Sequence, residues 1–266
     1  AAGDGAAARP ALLRTAAALA KDGRPCLLAG DTEGSVERLC ADVAAAAIRG
    51  FAPRVCAGRF GGALHFPKKG NTRPLFKDGG TLGYNATSWS ATVSVWLRLD
   101  PDKDLEPGYC DPVQIVGDDV KKGFIFLEWS KDHAPRHFRF AVRPIYHLWN
   151  PDAVGWEQIP DERRPMVKME QAPFRRDRWT HVVFVLDHLN DHAAPPRARL
   201  HVDGKPVGVI QGHDLTFGWD PAAIRLVLGA AYVGSMDDLA VWNRALTAEE
   251  IARLHALPGG VETLRR

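Results

Sequence analysis

The stretch GSMDDLAVWNRALTAEEIARLHAL, residues 234–257, decides the fold class of this chain. Its first part, up to Trp242, is apolar apart from two acidic residues near the start, and is typical of a β-strand. The polar corner NRAL follows, and Thr247 with Glu250 three residues later has the pattern of a helix capping box. The stretch therefore predicts a strand that completes a sheet, a sharp corner and one short helix.

The predicted helix has a narrow apolar stripe, because Ile251, Leu254 and Leu257 recur at intervals of three residues. Pro258 and the two glycines after it mark its end. A stripe of this width can lie on a sheet. We expect the helix to cover an edge or an end of the sheet, where unpaired strand groups would otherwise invite aggregation.

Upstream of this stretch, short runs rich in Val, Ile, Phe and Trp are separated by Gly, Pro, Asn and Asp, which is typical of strands and turns. No helical crossover is visible between residues 60 and 240, so the strands are expected to pair antiparallel. The chain is therefore predicted to be all-β, with two packed antiparallel sheets. The predicted strands are 25–30, 61–67, 91–99, 112–116, 123–129, 136–143, 179–187, 198–203, 205–210, 223–229 and 235–242.

The segment ARLHVDGKPVGVI, residues 198–210, is the clearest hairpin in the sequence. Asp203-Gly204 between two alternating runs supplies the positive φ angles of a two-residue primed turn. This turn is expected to set Leu200 and Val202 against Val207 and Val209.

The opening of the chain differs from the rest in composition, since it is rich in alanine. A short helix is expected after Pro10, ending near Gly23. We therefore predict an N-terminal helical extension over residues 1–24 and the sandwich over residues 25–266.

The charge balance excludes some classes of partner. Thirty-four Lys and Arg residues against 32 Asp and Glu leave a formal charge of +2, which does not indicate a nucleic-acid partner. Basic clusters at 67–70 and 173–179 are expected to be solvated loop charges, with an anionic ligand as the alternative. No run of about 18 uncharged apolar residues exists, so we expect no membrane span.

Four cysteines, Cys26, Cys40, Cys56 and Cys110, show no C-x-x-C spacing and therefore no zinc pattern. An even number would allow two disulfides in an exported protein, whereas an isolated cysteine also serves as a small buried apolar residue. The sequence leaves their pairing open.

The closing stretch resembles the C-terminal part of laminin-G-like domains, in which a strand of Gly-x-Ile-Asp-Glu type runs into an Asn-Arg-Ala-Leu corner and a short helix. Three more stretches are similar to motifs of that family in the same order: AGRFGGALHF at 57–66, DRWTHVVFVLD at 177–187 and ARLHVDGKPVG at 198–208. The resemblance spans residues 25–257, with the loop 145–173 outside it. It implies a concanavalin A-like jelly-roll sandwich, here with short N- and C-terminal helices.

The resemblance also implies a role. Domains of this kind suggest a non-catalytic binding or adhesion module that recognises carbohydrate or a protein surface, on a secreted, periplasmic or cell-surface protein. Two alternatives stay open: a polysaccharide-cleaving glycosidase or lyase on the same fold, and a purely structural protein-interaction domain.

A structural calcium ion is implied at Asp237, where the family pattern often places a metal-binding carboxylate. Asp31 is the expected partner, with Glu33 in reserve, and backbone carbonyls would supply further oxygen ligands. The alternative is that Asp237 caps the loop at residues 234–235 and that Asp31 starts a turn.

Aromatic residues in the long loop 145–173 form the predicted ligand site. Sugar rings present apolar C–H faces that stack on aromatic side chains, and Tyr146, Trp149 and Trp156 could form such a platform. The alternative is that these rings anchor the loop to the sandwich.

Catalytic residues are not expected. In the closest carboxylate pattern, LEWSKD, Glu128 and Asp132 would lie about 13 Å apart along a strand, outside the spacing that glycosidases use. His181 and His201 fall within predicted strands and are interpreted as sheet residues. A glycosidase would therefore need carboxylates from separate strands.

Overall fold

The computed structural model describes residues 13–14, 28–29, 54–70, 75–77, 80–131, 133–261 and 263. Most of the helix expected after Pro10 lies outside these residues, and the domain boundary at residue 24 stays a prediction. The described part, Leu13–Arg14, is strand rather than helix, because it pairs antiparallel with Leu28–Ala29.

Fifteen strands, three α-helices and three 3-10 turns make up the described residues. The strands are β1 Leu13–Arg14, β2 Leu28–Ala29, β3 Arg54–Ala57, β4 Gly62–Phe66, β5 Leu75–Lys77, β6 Trp89–Arg98, β7 Cys110–Val116, β8 Phe124–Trp129, β9 Phe138–Arg143, β10 Met166–Met169, β11 Thr180–Leu189, β12 Arg197–Val202, β13 Lys205–Ile210, β14 Arg225–Ala230 and β15 Gly234–Trp242. The helices are α1 Pro101–Asp104, α2 Tyr146–Trp149 and α3 Ala248–His255, and the 3-10 turns are Trp156–Gln158, Asp161–Arg163 and Pro221–Ala223. Among these residues, no helix has the length and apolarity needed to cross a bilayer.

The strands form two large antiparallel sheets packed face to face, which confirms the predicted jelly-roll sandwich. The six-stranded sheet has the order β10-β9-β8-β7-β14-β5, and the seven-stranded sheet has the order β13-β12-β11-β6-β15-β4-β3. Strands distant in sequence are neighbours, as β15 is between β6 and β4. The final strand therefore completes a sheet from within rather than at its edge.

Besides β1, which lies where a helix was expected, three strands were missed by the sequence analysis: β3, β5 and β10. Each lies at the edge of its sheet, where a strand has one hydrogen-bonded neighbour instead of two. An edge strand can be short and only partly apolar, because its register comes from the neighbouring strand. The run MVKM of β10, for example, buries only Val167 among partly exposed residues.

The C-terminal helix α3 follows the predicted capping box. The Thr247 hydroxyl accepts the N–H of Glu250 at 3.2 Å, and the Glu250 carboxylate accepts the N–H of Thr247 at 2.8 Å. The corner before it is tied to β6, where the Thr92 hydroxyl donates to Arg244 O at 2.8 Å and accepts from Leu246 N at 3.0 Å. Local sequence therefore starts the helix, and a distant strand positions it.

Helix α3 covers a face of the seven-stranded sheet, so the expectation that it covers an edge or an end was wrong. The reason is a second apolar layer outside that sheet, because several outward-pointing strand residues are also apolar. This layer consists of Val183, Val185, Ala240, Trp242, Leu246, Ile251, Leu254 and Val261.

The hairpin β12–β13 has the predicted primed turn, with φ of 50° at Asp203 and 74° at Gly204. Its register differs from the prediction because a β-bulge follows Leu200, which pairs with Gly208 instead of Val207. A side chain at Gly208 would meet Val167, since an added Cβ would lie 2.8 Å from Val167 Cγ1. The bulge thus places Gly208, which has no side chain, against Val167 of β10.

Two cysteines, Cys56 and Cys110, are free thiols, and burial raises the pKa of Cys110 to about 11. Cys26 and Cys40 lie outside the described residues.

His181 and His201 are strand residues, as expected, and both are buried. His181 lies under α3, with Nε2 2.8 Å from the Ser94 hydroxyl and its ring stacked on Trp96 at 4.6 Å. Burial, with smaller contributions from His255 and Arg59, lowers the pKa of His181 to about 3.

This burial predicts acid sensitivity. The folded-state pKa of His181 lies below its unfolded value near 6.5, so its contribution to stability is complete above about pH 6.5 and is lost as the pH falls towards 3. We expect the free energy of unfolding to fall by about 1.4 kcal/mol per pH unit from this residue. Denaturant titrations at pH 7.5, 5.5 and 4.5 would measure it.

The variant His181→Gln should show a flatter pH dependence, even if it is less stable at pH 7.5. His192→Gln is the matched control, because His192 is exposed. If His181→Gln kept the full acid dependence of the wild type, His181 would not be the responsible group.

Candidate functional site

The insertion between β9 and β10 crosses the outer face of the six-stranded sheet. It contains α2 and two of the 3-10 turns, and its Tyr146 N–H donates to Lys121 O at 2.7 Å. On the strands beneath, Ile125 and Leu127 point into the core, so Phe124 and Phe126 point outward by the two-residue period. The insertion therefore packs on a face that is itself partly apolar.

Five rings form what we call the aromatic cluster: Phe124 and Phe126 of β8, and Tyr146, Trp149 and Trp156 of the insertion. Ring centroids are 5.4 Å apart for Tyr146–Trp149, 5.4 Å for Trp149–Trp156 and 6.2 Å for Trp156–Phe126. The structure thus brings the three predicted aromatic residues together. Trp149 is only 6% exposed and anchors the insertion, whereas Tyr146 and Trp156 are partly exposed.

Arg143, the last residue of β9, extends into this cluster and was missed by the sequence analysis. Its guanidinium carbon lies 4.3 Å from the ring centroid of Trp149, 5.3 Å from Trp156 and 5.5 Å from Phe124. Burial lowers the pKa of Arg143. Its position could have been found from strand alternation, because Phe140 and Val142 point inward and Arg143 must point outward.

Beside the aromatic cluster lies a charged network that fastens the insertion to β8 and β9. Arg139, which is 1% exposed, donates through Nε to Glu128 Oε1 at 2.8 Å and through Nη2 to Glu157 Oε1 at 3.0 Å. Arg164 bridges Glu157 Oε2 at 3.2 Å and Asp161 Oδ1 at 3.1 Å. Glu157 therefore links the insertion to a buried arginine of the sheet.

Glu128 has an unusual environment within this network. Burial, together with the neighbouring Asp111 carboxylate, raises the pKa of Glu128 above its usual range, and the ion pair with Arg139 opposes this rise. Asp111 of β7, Glu128 of β8 and Glu157 of the insertion show that carboxylates from separate elements do meet on this face. Both Asp111 and Glu128 are buried, and Asp132 lies outside the described residues.

Asp237 is buried and accepts three backbone N–H groups. Its Oδ2 accepts from Arg59 at 2.7 Å and Phe60 at 3.0 Å, and its Oδ1 accepts from Asp238 at 2.8 Å. It therefore caps the loop before β4, not the loop at residues 234–235, because β4 lies beside β15. At Gly58 in this loop an added Cβ would be 2.5 Å from Asp237 Oδ2.

The Asp237 carboxylate accepts hydrogen bonds from backbone N–H groups, which cannot bind a cation, whereas calcium requires oxygen ligands. Within the described ranges, no group of three or more His, Cys, Asp or Glu residues could hold a metal ion. The expected partners Asp31 and Glu33 lie outside those ranges, so the calcium site stays a prediction.

The basic cluster at 173–179 lies at one end of the sandwich. Arg176 and residues of α1 line a cleft of about 610 Å³, and Arg176 Nη2 lies 2.5 Å from Asp104 Oδ1. Arg178 forms an ion pair with Asp203. Two of the charges in this cluster are therefore paired with acids of the chain itself.

Three solved structures illustrate the fold similarity. The receptor-binding domain of botulinum neurotoxin C/D mosaic serotype has a TM-score of 0.55 at 10% identity, with 92% of this chain and 51% of that chain covered. The binding domain of botulinum neurotoxin DC, in complex with rat synaptotagmin II, has a TM-score of 0.55 at 11% identity, with 94% and 52% covered. Domain 4 of AbnA, a GH43 extracellular arabinanase from Geobacillus stearothermophilus, in complex with arabinotriose, has a TM-score of 0.47 at 16% identity, with 76% and 80% covered.

The chain spans about half the length of the two neurotoxin domains. At these identities the likeness shows the fold alone. No curated protein is significantly similar to the chain.

The family follows from the sequence itself. Residues 77–252, about two thirds of the chain, match the laminin-G domain model of the concanavalin A-like lectin/glucanases superfamily. The matched range begins at the last residue of β5 and ends within α3, so it includes most strands of both large sheets but not β3 and β4. The chain therefore belongs to the concanavalin A-like lectin/glucanases superfamily as a laminin-G-like domain.

Proposed function

We propose that this chain is a non-catalytic carbohydrate-binding module of an exported or cell-surface protein, with the aromatic cluster as its ligand site. The observation that carries the proposal is the continuous arrangement of Tyr146, Trp149 and Trp156 around Arg143. Partly exposed rings can stack on the C–H faces of a sugar, and polar groups beside them can bond its hydroxyls.

The cluster is held in place before any ligand arrives. Asn150, which is buried, donates through Nδ2 to Tyr146 Oη at 3.0 Å and to Val154 O at 2.8 Å. Its Oδ1 accepts the N–H of Val154 at 3.1 Å. The Glu157 ion pairs fix the other end of the insertion. A rigid platform loses little conformational entropy on binding, which favours affinity.

Two other readings remain as alternatives. A protein surface is the second class of partner, since one neurotoxin binding domain of this fold was solved in complex with rat synaptotagmin II. A polysaccharide-cleaving activity would have to use the carboxylates near Glu128. Any glycan that binds should therefore also be tested for cleavage, because fold alone does not determine function.

The ligand site predicts the effect of removing its exposed rings. Tyr146→Ala and Trp156→Ala should each weaken glycan binding by about tenfold, because each removes one stacking surface. A glycan array followed by titration calorimetry on any bound glycan would measure this. Trp149→Ala should instead lower the melting temperature, because Trp149 is buried.

Trp179→Ala is the matched control for this experiment. Trp179 is also partly exposed and also packs against an arginine, with Arg98 4.6 Å from its ring, but it directly precedes β11 of the other sheet. Unchanged glycan binding by both Tyr146→Ala and Trp156→Ala would show that the aromatic cluster is not the ligand site. An array with no bound glycan would favour a protein partner.

We also propose a structural calcium ion held by Asp237 and Asp31, with Glu33 in reserve. Calcium chloride should then raise the melting temperature relative to a chelator in the wild type, but not in Asp31→Asn. Asp237→Asn should be less stable in both conditions, because it disturbs the cap of the loop before β4. A wild-type melting temperature that does not respond to calcium would contradict the proposal.

The exported or cell-surface location is a further part of the proposal and rests on the family resemblance. Fractionation of the producing cells, followed by immunodetection of the chain, would test it. Recovery in the cytosolic fraction alone would contradict it.

A further inference from the structure

Arg143 differs from the other arginine on its strand face in having no anionic partner. Arg139 is bonded to both Glu128 and Glu157. The Arg143 guanidinium forms no hydrogen bond and no ion pair within the part of the chain that the structure describes, and its Nε is buried without a partner. The residue as a whole is partly exposed, and of its three side-chain nitrogens only Nε is both fully buried and without a partner.

An unpaired and partly desolvated guanidinium is unfavourable for folding. The rings of Trp149 and Trp156 recover part of this cost through cation–π attraction. A carboxylate would recover more, as it does at Arg139. The acids of the neighbouring network are already engaged, since Glu128 is bonded to Arg139 and Glu157 is shared by Arg139 and Arg164.

Hydrogen-bond donors outnumber acceptors in the aromatic cluster. Besides Arg143 Nε, the indole N–H groups of Trp149 and Trp156 are buried and have no acceptor among the described residues. The Tyr146 hydroxyl oxygen accepts from Asn150. The guanidinium's own Nε and the two indole donors beside it are unsatisfied and indicate a ligand that brings acceptors, because buried polar groups are normally hydrogen-bonded.

We infer that the ligand of this site is an acidic carbohydrate whose carboxylate binds the guanidinium of Arg143 while a sugar ring stacks on Trp156 and Tyr146. The inference rests on the proposed carbohydrate-binding function and names its ligand class. A carboxylate is planar and matches the paired N–H groups of a guanidinium, which a single neutral hydroxyl does not. Arg143 is then the residue that selects acidic over neutral sugars.

The test compares each acidic glycan with its own methyl ester, which removes the charge and keeps the sugar. Immobilised uronic-acid and sialic-acid oligosaccharides and their methyl esters are probed with the wild type, Arg143→Gln and Arg143→Lys. The wild type should prefer the acid over the ester by about tenfold or more, and the preference should weaken as salt is raised. Arg143→Gln should bind acid and ester equally. Arg143→Lys should keep part of the preference, because it keeps the positive charge but lacks the paired planar N–H groups of a guanidinium.

Arg225→Gln is the matched control. Arg225 lies in β14 of the same sheet, two strands from β8, and its neighbours Leu226 and Leu228 point into the core, so it is on the same outer face. Its guanidinium donates to Ala223 O at 3.0 Å, outside the cluster. Arg225→Gln changes the net charge as Arg143→Gln does and should leave the acid-over-ester preference unchanged. Circular dichroism confirms that each variant is folded.

The outcomes separate the two proposals. Equal binding of acid and ester by the wild type overturns the acidic-ligand inference and leaves the carbohydrate-binding function standing. Binding to no glycan overturns both. A preference that persists in Arg143→Gln, or that disappears in Arg225→Gln, removes Arg143 as its cause. If Arg143→Gln does not fold, the acid-over-ester preference of Arg143→Lys is compared with that of the wild type. A weaker preference in Arg143→Lys supports the role of Arg143, and an equal preference contradicts it.

Discussion

Both sheets of this sandwich carry apolar side chains on their outer faces as well as in the central core, and this constraint shapes the rest of the structure. Val183 and Val185 point away from the core on the seven-stranded sheet, and Phe124 and Phe126 do so on the six-stranded sheet. Apolar surface of this size is unfavourable in water. Helix α3 covers the first face, and the insertion between β9 and β10 covers the second.

The two covers are attached in different ways. Helix α3 is capped locally and packs through Ile251 and Leu254, so its attachment is mainly apolar. The insertion has little regular structure and is held by the Arg139–Glu157 ion pair, by the aromatic rings and by backbone hydrogen bonds. The Glu157 side chain is 37% exposed, but Arg139 is buried, and the loss of one partner of a buried charge is strongly destabilising even where the pair contributes little net stability. It therefore fixes the position of the insertion more than it strengthens the fold.

The same covering of the six-stranded sheet creates the candidate site. Carboxylates and arginines that would be solvated on an open sheet become buried, and this raises the pKa of Glu128 and leaves Arg143 enclosed by rings. Sites of this kind combine apolar walls with a few directed polar groups, which is the usual composition of a small-molecule site. The laminin-G-like fold supplies the sheet with Arg143, Phe124 and Phe126, and the insertion adds the rings of Tyr146, Trp149 and Trp156.

The elements that depend on neighbouring residues were predictable before the structure was known: most of the strands, the Asp203-Gly204 turn, the Thr247–Glu250 capping box and, through ordered motifs, the family. These are local because strand period, turn angles and caps involve residues only a few positions apart. Contacts between residues that are distant in sequence could be found only in the folded structure. Asp237 caps a loop 177 to 178 positions away, Glu157 meets Arg139 across 18 positions, and the edge strands take their register from neighbours. In the sequence, Arg143 is an ordinary charged strand residue, and only the packing of the insertion brings it against Trp149 and Trp156. The reason is that contacts between side chains distant in sequence produce no periodic pattern along the chain.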